Sequence, residues 1–219
     1  MKLTTNTIEI LKNFSTINQS ILFEKGDLLM TRNPASTVVG IAKLDQEIEQ
    51  KFAIYDLPQL LSVLSLYKQP EIKFKDDYLL IGEDNRNVKY TYTQPNYINA
   101  ANYEKLKSQK LPFEVISSFT LTADQIQKTL KAAAILNLPN IQFVSSQGNL
   151  DMVACDVKNP TSHKVMDTVS SCDVSFSVNY QRENLNILAD DYTVSIYSAK
   201  MTKLESDRVI YYIAADITQ

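Results

Sequence analysis

The stretch LKNFSTINQSILFEKGDLLM, Leu11 to Met30, decides the fold because its pattern occurs twice in the chain. It is typical of a helix end followed by a strand, a turn at Gly26 and a second strand. The same order returns at 130–152 as LKAAAILNLPNIQFVSSQGNLDM, where Leu-Lys, Ile-x-Phe and Gly-x-Leu-x-Met recur in sequence. The chain therefore contains a repeated structural unit.

The repeat continues beyond this first block. FAIYDLPQLLSVL (52–64) matches FSVNYQRENLNIL (176–188), with Leu61 opposite Leu185, and later EIKF matches TVSI and VKYTY matches VIYYI. The offset between the copies stays between 119 and 124 through all four blocks, which indicates a duplication.

Each copy is predicted to contain a helix, strands, a second helix and more strands, with mostly antiparallel pairing. The predicted helices lie at about 5–18, 56–66, 122–137 and 180–189. The predicted strands lie at about 20–24, 27–32, 36–44, 48–54, 71–75, 78–82, 87–93, 140–145, 150–157, 163–170, 173–179, 192–199 and 208–215. The fold class is therefore α+β with two similar domains.

The domain limits follow from a break in this pattern. Residues 95–112 are polar, carry a proline near each end and are typical of a connector. We expect an N-terminal domain at 1–94, a connector at 95–112 and a C-terminal domain at 113–219.

Composition favours a soluble globular protein, because 44% of the 219 residues are hydrophobic and 21% are charged. We expect an intracellular protein with no membrane partner, since no apolar run reaches the roughly 20 residues that span a bilayer and the polar N-terminus lacks a signal-peptide core. A net charge of −3 argues weakly against a nucleic-acid grip by the whole surface but allows a locally basic face.

Residues with the chemistry of an active site are few. His163 is the only histidine, and its spacing from Cys155 and Cys172 matches no zinc module. No phosphate-binding glycine loop and no nucleophile motif occurs. We expect no catalytic residue, no metal site and no cofactor, although a hydrolase or metal enzyme built around His163 is an alternative.

The charges on the predicted helices are more informative than the motif search. Most acids fall in strands and hairpins, whereas the predicted helices carry Lys12, Lys128, Lys131 and Arg182, with Lys68 just past the second helix. An ordinary solvated helix face explains any one of them. Their segregation favours loose, sequence-independent contact with DNA phosphates.

Several strings in the first 66 residues, LKNF, LLMTR and AIYDL among them, resemble the DNA polymerase sliding clamp (processivity factor) of T-even-type tailed bacteriophages. The resemblance is looser over 113–157 and weak in the connector and near the C-terminus. It implies a homotrimeric ring in which helices line the hole and antiparallel sheets form the outer wall.

The resemblance also implies partners. A clamp of this family encircles double-stranded DNA, is loaded by a clamp loader and tethers the replicative DNA polymerase in the cytoplasm of the infected bacterial host. In T-even phages it also serves late transcription through a sigma-like factor and a co-activator. The alternative from a different class is a structural phage particle protein of the tail or baseplate type.

Site residues are carried over position by position. Lys12 matches the lysine of the family's LKNF string and Lys131 a basic position of the third helix, whereas the next basic position is Ala134 here. Lys128 is predicted to face the same way as Lys131. The resemblance also implies a partner-peptide pocket, for which the candidate wall residues are Leu111, Pro112, Phe113 and Ile213, although each of them fits a plain core position equally well.

Overall fold

The computed structural model describes residues 1–99 and 114–215. The chain divides into two compact units, Met1–Gln109 (unit 1) and Lys110–Gln219 (unit 2). Because residues 100–113 lie outside the described ranges, the predicted limits of the domains and of the connector at 95–112 stay predictions. None of the helices in the described ranges has the length and apolar character that crossing a bilayer requires.

In the described part of unit 1, two α-helices, one short 3-10 helix and seven strands follow each other. They are α1 (Thr5–Ile17), β1 (Ile21–Phe23), β2 (Gly26–Arg32), β3 (Val38–Ile48), β4 (Phe52–Ile54), α2 (Leu57–Leu64), β5 (Glu71–Phe74), β6 (Tyr78–Glu83), β7 (Arg86–Thr91) and the 3-10 helix Pro95–Tyr97. One antiparallel sheet has the strand order β4-β1-β2-β3 and the other β5-β6-β7.

The core of unit 1 lies between α1, α2 and the first of these sheets. Phe23 and Phe52 are partners across β1 and β4, and their rings stack with centroids 4.5 Å apart. Gly26, in the turn that the sequence predicted, has a φ of +119°. Only glycine takes this conformation without strain, so the hairpin between β1 and β2 depends on it.

In the described part of unit 2, one α-helix, one short 3-10 helix and eight strands are present. They are β8 (Val115–Leu121), α3 (Ala123–Ile135), β9 (Asn140–Ser146), β10 (Asn149–Cys155), β11 (Val165–Ser171), β12 (Phe176–Gln181), the 3-10 helix Arg182–Leu185, β13 (Tyr192–Tyr197), β14 (Met201–Glu205) and β15 (Val209–Ala214).

Unit 2 repeats the arrangement of a helix on antiparallel sheets. Its strand orders are β11-β10-β9-β12 and β15-β14-β13-β8. Phe143 on β9 is fully buried and contacts the rings of Phe119 and Tyr180 edge-on, at centroid distances of 5.4 and 6.0 Å. The predicted α+β class with two similar halves is confirmed.

Three of the four predicted helices are confirmed within a few residues, and the fourth is wrong. A helix was expected at 180–189, but the structure contains only the four-residue 3-10 helix Arg182–Leu185. Beyond it, the backbone of Leu188 is held by side chains, because its N–H donates to the Tyr211 hydroxyl at 3.3 Å and its carbonyl accepts from the Tyr192 hydroxyl at 2.9 Å. These bonds compete with helical ones.

Two strands, β8 and β14, were not predicted. In β14 the buried residues Thr202 and Leu204 alternate with Met201, Lys203 and Glu205, a short pattern with weak strand propensity. Conversely, β3 continues to Ile48, through a charged stretch that the sequence had assigned to a break between two strands.

The structure also corrects the alignment of the second repeated block by one residue. The Leu57 N–H donates to Gln19 O at 2.7 Å, and the corresponding bond in unit 2 joins the Arg182 N–H to Pro139 O at 2.8 Å. Leu185 is therefore equivalent to Leu60, with which it shares full burial, rather than to Leu61.

Candidate nucleic-acid interface

The first basic position, Lys12, lies on α1. Thr4 caps this helix through its hydroxyl, which accepts from the Thr7 N–H at 3.0 Å. The buried side of the helix is formed by Thr7, Ile10, Leu11 and Phe14. Lys12 lies on the opposite side and is exposed, as the sequence predicted, and Glu9 is exposed on the same side. The sequence had placed Ile8 in the buried stripe, but it is only half-buried, and the stripe includes Thr7 and Ile10 instead.

The second pair of basic positions lies on α3. A capping box fixes the start of this helix, because the Thr122 hydroxyl accepts from the Gln125 N–H and the Gln125 side chain accepts from the Thr122 N–H. Asp191 adds a third support by accepting from the Ala123 N–H at 2.8 Å. Lys128 and Lys131 are both exposed on one side of the helix.

The buried side of α3 differs from the predicted stripe of Ile126, Leu130 and Ala134. Ile126 is buried, Leu130 is half-buried and Ala134 is exposed, while Thr129 and Ala133 complete the buried side. The difference is a rotation of the helix by less than one residue, and it leaves both lysines outside.

Three buried positions of the two helices coincide at an offset of 119 residues, whereas the fourth, Leu11, corresponds to the half-buried Leu130. Thr7 corresponds to Ile126, Ile10 to Thr129 and Phe14 to Ala133, and all six are buried. At this offset Lys12 corresponds to Lys131. The two lysines therefore occupy equivalent exposed positions in the two units, and the packing agrees with the match of Leu11-Lys12 to Leu130-Lys131 in the sequence.

Lys128 differs from these two lysines because it has a partner. Its Nζ lies 2.7 Å from Oδ2 of Asp124, one turn earlier on the same helix. The hydrogen bond and the charge of Asp124 raise the pKa of Lys128. In the described ranges neither Lys12 nor Lys131 has a carboxylate within ion-pair distance. This pair is not among the sequence-based predictions, although the spacing of acid and lysine by four residues on a helix is typical of it.

The other two predicted basic residues have different settings. Lys68 is exposed in the turn after α2, and its backbone N–H donates to Oε2 of Glu83 at 3.0 Å. Arg182 is half-buried, and its Nη1 donates to the carbonyls of Ala133 and Leu138 at 3.0 and 3.1 Å. Arg182 thus satisfies backbone acceptors at the end of α3, where a positive charge also complements the helix dipole. Whether either residue faces DNA stays a prediction.

Of the predicted partner-pocket residues, Leu111, Pro112 and Phe113 lie outside the described residues. Ile213 is fully buried in β15, where its neighbour across the sheet is Thr202. A separate groove of about 520 Å³ lies beside the turn between β6 and β7, and it is lined in part by Leu66, Tyr67 and Arg86.

The residues considered for catalysis are not brought together as a recognisable centre. His163 is exposed, and Cys155 is buried, which raises the pKa of its thiol. A hydrogen bond with Ser117 lowers the pKa of the half-buried Cys172. Within residues 1–99 and 114–215, no three His, Cys, Asp or Glu side chains converge as a metal site.

Comparison with solved structures identifies the class of fold. PCNA of A. fulgidus matches with a TM-score of 0.70 and 14% identity, over 100% of this chain and 98% of that chain. The DNA polymerase III subunit beta of Pseudomonas aeruginosa matches with a TM-score of 0.68 and 10% identity, over 100% of this chain and 66% of that one. At these identities the likeness establishes the fold alone, and it is the sliding-clamp fold.

Comparison of sequences identifies the family. The family model described as DNA polymerase processivity factor matches residues 3–110. The sliding clamp of Vibrio phage KVP40 is 28% identical over 223 residues, 99% of each chain, and that of Escherichia phage RB69 is 29% identical over 228 residues, 99% of this chain and 97% of the relative. The chain belongs to the sliding-clamp family of T4-like phages, which confirms the resemblance found in its sequence.

Proposed function

We propose that this protein is a DNA sliding clamp that encircles duplex DNA as a homotrimer and tethers the replicative DNA polymerase. The match to phage sliding clamps over 99% of the chain supports this function. The main structural support for a DNA contact is the equivalence of Lys12 and Lys131. Each unit has an exposed lysine at the same position of its first helix, and the two helices pack in a similar way. Exposed lysines neutralise phosphates without reading bases, as a sliding contact requires.

The lysines proposed to face DNA are Lys12, Lys68, Lys128 and Lys131, with Arg182 as a further candidate. A clamp needs only a weak grip, because a closed ring is retained on DNA by topology rather than by affinity. The mixture of lysines with neutral or acidic residues on the exposed faces of α1 and α3 is consistent with such a grip.

We further propose that a clamp loader places the ring on DNA in the cytoplasm of the infected host and that partners bind through short peptides. The solved A. fulgidus PCNA is bound to the C-terminal region of FEN-1, which is a precedent for such docking on this fold. Leu111, Pro112, Phe113 and Ile213 remain the proposed pocket. A role in late transcription, through a sigma-like factor and a co-activator, is proposed only from the resemblance of the sequence to T-even-type clamps.

No catalytic step is assigned to this chain. The family description, DNA polymerase processivity factor, supports a role in which this chain tethers the polymerase and the polymerase supplies the chemistry. Replacing His163 by Ala is expected to leave clamp activity unchanged. A loss of clamp activity in that variant with an unchanged fold would reopen the enzyme alternative.

The test of the proposed function is primer extension on a long circular template with the cognate polymerase and loader. We expect longer products when this protein is added. Product lengths unchanged by the protein would contradict the clamp function. Light scattering gives the oligomeric state in parallel, and a monomer at all concentrations or a large assembly would contradict the trimer.

The DNA face is tested with Lys12→Glu/Lys131→Glu and a control that has the same change in charge. Lys25 and Lys158 are exposed lysines outside the helices, in the turn between β1 and β2 and in the loop after β10. We expect the helix variant to be lost from DNA at lower salt than Lys25→Glu/Lys158→Glu. Equal salt sensitivity of the two variants would remove Lys12 and Lys131 from the DNA face.

A further inference from the structure

The exposed side of α3 carries one negative and two positive charges in a line. Asp124, Lys128 and Lys131 are spaced by four and three residues, so they follow one another along the side opposite Ile126, Thr129 and Ala133. At the offset of 119 residues, the corresponding positions on α1 are Thr5, Glu9 and Lys12. We call these two sets the α3 stripe and the α1 stripe.

The two stripes share one unopposed lysine position and differ at the other two. Glu9 occupies on α1 the position that Lys128 occupies on α3, so the α1 stripe has no second positive charge. On α3 the second positive charge is present, but Asp124 holds it at 2.7 Å. Both stripes therefore present much less positive charge than the number of helix lysines indicates.

From this geometry we propose that Asp124 acts as a built-in counter-ion that competes with DNA phosphate for Lys128 and so weakens the grip of the ring on DNA. The proposal rests on the proposed function, because it requires the α3 stripe to face DNA. Asp124 is thus a residue that tunes DNA affinity without touching DNA.

The exposure of the pair makes the competition feasible. The side chains of Lys128 and Asp124 are 75% and 70% exposed, so water and phosphate both reach the ammonium group. Solvent-exposed pairs of this kind are weak and open readily. Lys128 can leave Asp124 for a phosphate, but the broken pair reduces the gain from that contact.

Asp124 is not the residue that fixes the start of α3. The capping box of Thr122 and Gln125 and the bond from the Ala123 N–H to Asp191 hold the first turn without it. Asp124→Asn therefore removes the charge while it keeps the size of the side chain and the fold of the helix.

Glu24 provides a matched control for the change in charge. It forms an exposed pair with Lys51 at the same distance, 2.7 Å, but lies in the turn between β1 and β2 rather than on a helix. Glu24→Gln alters the net charge of each chain by the same amount as Asp124→Asn. Any difference between the two variants reports the position of the acid and not the total charge.

The experiment measures binding of the full-length protein to a fluorescent linear duplex by anisotropy across a series of salt concentrations. We expect Asp124→Asn to bind about twofold more tightly for each subunit whose Lys128 reaches a phosphate. The slope of log K against log salt should steepen by at most about 0.9 for each such contact, because Lys128 also reaches phosphate part of the time when Asp124 is present. Glu24→Gln should behave like the wild-type protein, and Asp124→Asn/Lys128→Gln should lose the gain.

Three results would overturn the proposal. They are equal gains in Asp124→Asn and Glu24→Gln, no gain in Asp124→Asn, and a gain that persists when Lys128 is Gln. The same duplex with bulky blocks at both ends distinguishes failure of the counter-ion proposal from failure of the proposed function. A closed ring can thread only over open ends, so an encircling protein should not bind the blocked duplex. If the wild-type protein binds blocked and open duplexes equally, the encircling function itself fails, and the counter-ion proposal with it.

Discussion

The first helices of the two units share three buried positions and fill them with different side chains. At one of these positions α1 has Phe14, which lies over Gly40 of β3, whereas α3 has Ala133 there. A Cβ placed on Gly40 would lie 2.9 Å from the ring of Phe14, so the large side chain and the missing one are matched. The two copies therefore share the positions at which the helix packs on its sheet, but the sizes of the side chains at those positions differ between the units.

The second helical segments of the two units differ more in length and type, and the N-cap residue is one cause. In unit 1, Asp56 caps α2 by accepting from the Gln59 N–H at 2.8 Å. In unit 2 the cap position is Gln181, whose side chain makes no cap bond, and the helix there is a single 3-10 turn. Arg182 uses that turn to reach the end of α3 instead.

The largest expected effect on stability comes from substitutions that disrupt the packing of Phe14 on Gly40. Phe14→Ala should lower the free energy of unfolding by about 3–5 kcal/mol, because it empties a fully buried site. Gly40→Ala should cost about 1–3 kcal/mol in the wild-type protein, since the ring must move. Urea unfolding at one fixed protein concentration measures both.

The double variant is the control for this match. Once Phe14 is Ala, Gly40→Ala should cost clearly less than it does alone, because the ring that it would strike is gone. Strictly additive costs would show that the two positions are not coupled and that the difference between α1 and α3 has another origin.

The next largest effect is expected at Arg182. Its substitution distinguishes a residue that stabilises unit 2 from a residue that contacts DNA. Arg182→Ala should lower stability by about 1.5–3 kcal/mol, because charged hydrogen bonds to two carbonyls are lost. Arg182→Lys keeps the charge but not the planar donor group, so it should also be destabilised. If the thermal midpoint of Arg182→Ala is unchanged while the salt dependence of DNA binding falls, Arg182 is a DNA contact instead.

The third effect is a difference in alkaline stability between the units. Burial raises the pKa of Tyr180, Tyr192 and Tyr211, all in unit 2, above the ordinary value of about 10. The folded state keeps these protons while the unfolded state releases them. Stability is therefore fully present below pH about 10 and falls above it by about 1.4 kcal/mol per pH unit for each tyrosine.

Thermal melts at rising pH test this expectation, with Tyr192→Phe as the comparison. That variant lacks one ionisable hydroxyl, so its stability should fall less steeply above pH about 10 than that of the wild-type protein. The shifted tyrosines of unit 1, Tyr90 and Tyr92, are only half-buried, and limited proteolysis should therefore find unit 2 opening first. Parallel pH profiles of the two proteins would contradict the burial argument.

The smallest expected effect on stability comes from removing the N-cap of α2. Asp56→Ala should cost about 1 kcal/mol through loss of the bond to the Gln59 N–H, and Asp56→Asn should be nearly neutral because asparagine caps equally well. Urea unfolding measures both. A similar loss in both variants would point to the charge of Asp56 rather than to its capping oxygen.

Much of this molecule could be predicted from the sequence, where the signal is local. The apolar spacing and the caps predicted α1, α2 and α3 to within a few residues, and Gly26 predicted the turn between β1 and β2. The exposure of Lys12, Lys128 and Lys131 followed from the same periodicity. These features depend on residues only a few positions apart, which the sequence displays directly.

The features that were missed depend on distant residues. A helix at 180–189 was plausible locally, but Tyr192 and Tyr211 take the backbone groups of Leu188. Arg182 looked like another surface cation until its carbonyl partners on Ala133 and Leu138 were visible. The pair Asp124–Lys128 is the exception, because its spacing of four residues on a helix is a local signal in the sequence.

The sequence by itself determined the duplication, the α+β class, the family and the basic lean of the helices, because periodicity and short strings survive in the linear order of residues. Only the tertiary structure decided that Phe14 requires Gly40 and that Arg182 supports the end of α3. Those relations join residues far apart in the chain. Their physical basis is volume and hydrogen-bond geometry, which exist only once the two units are folded.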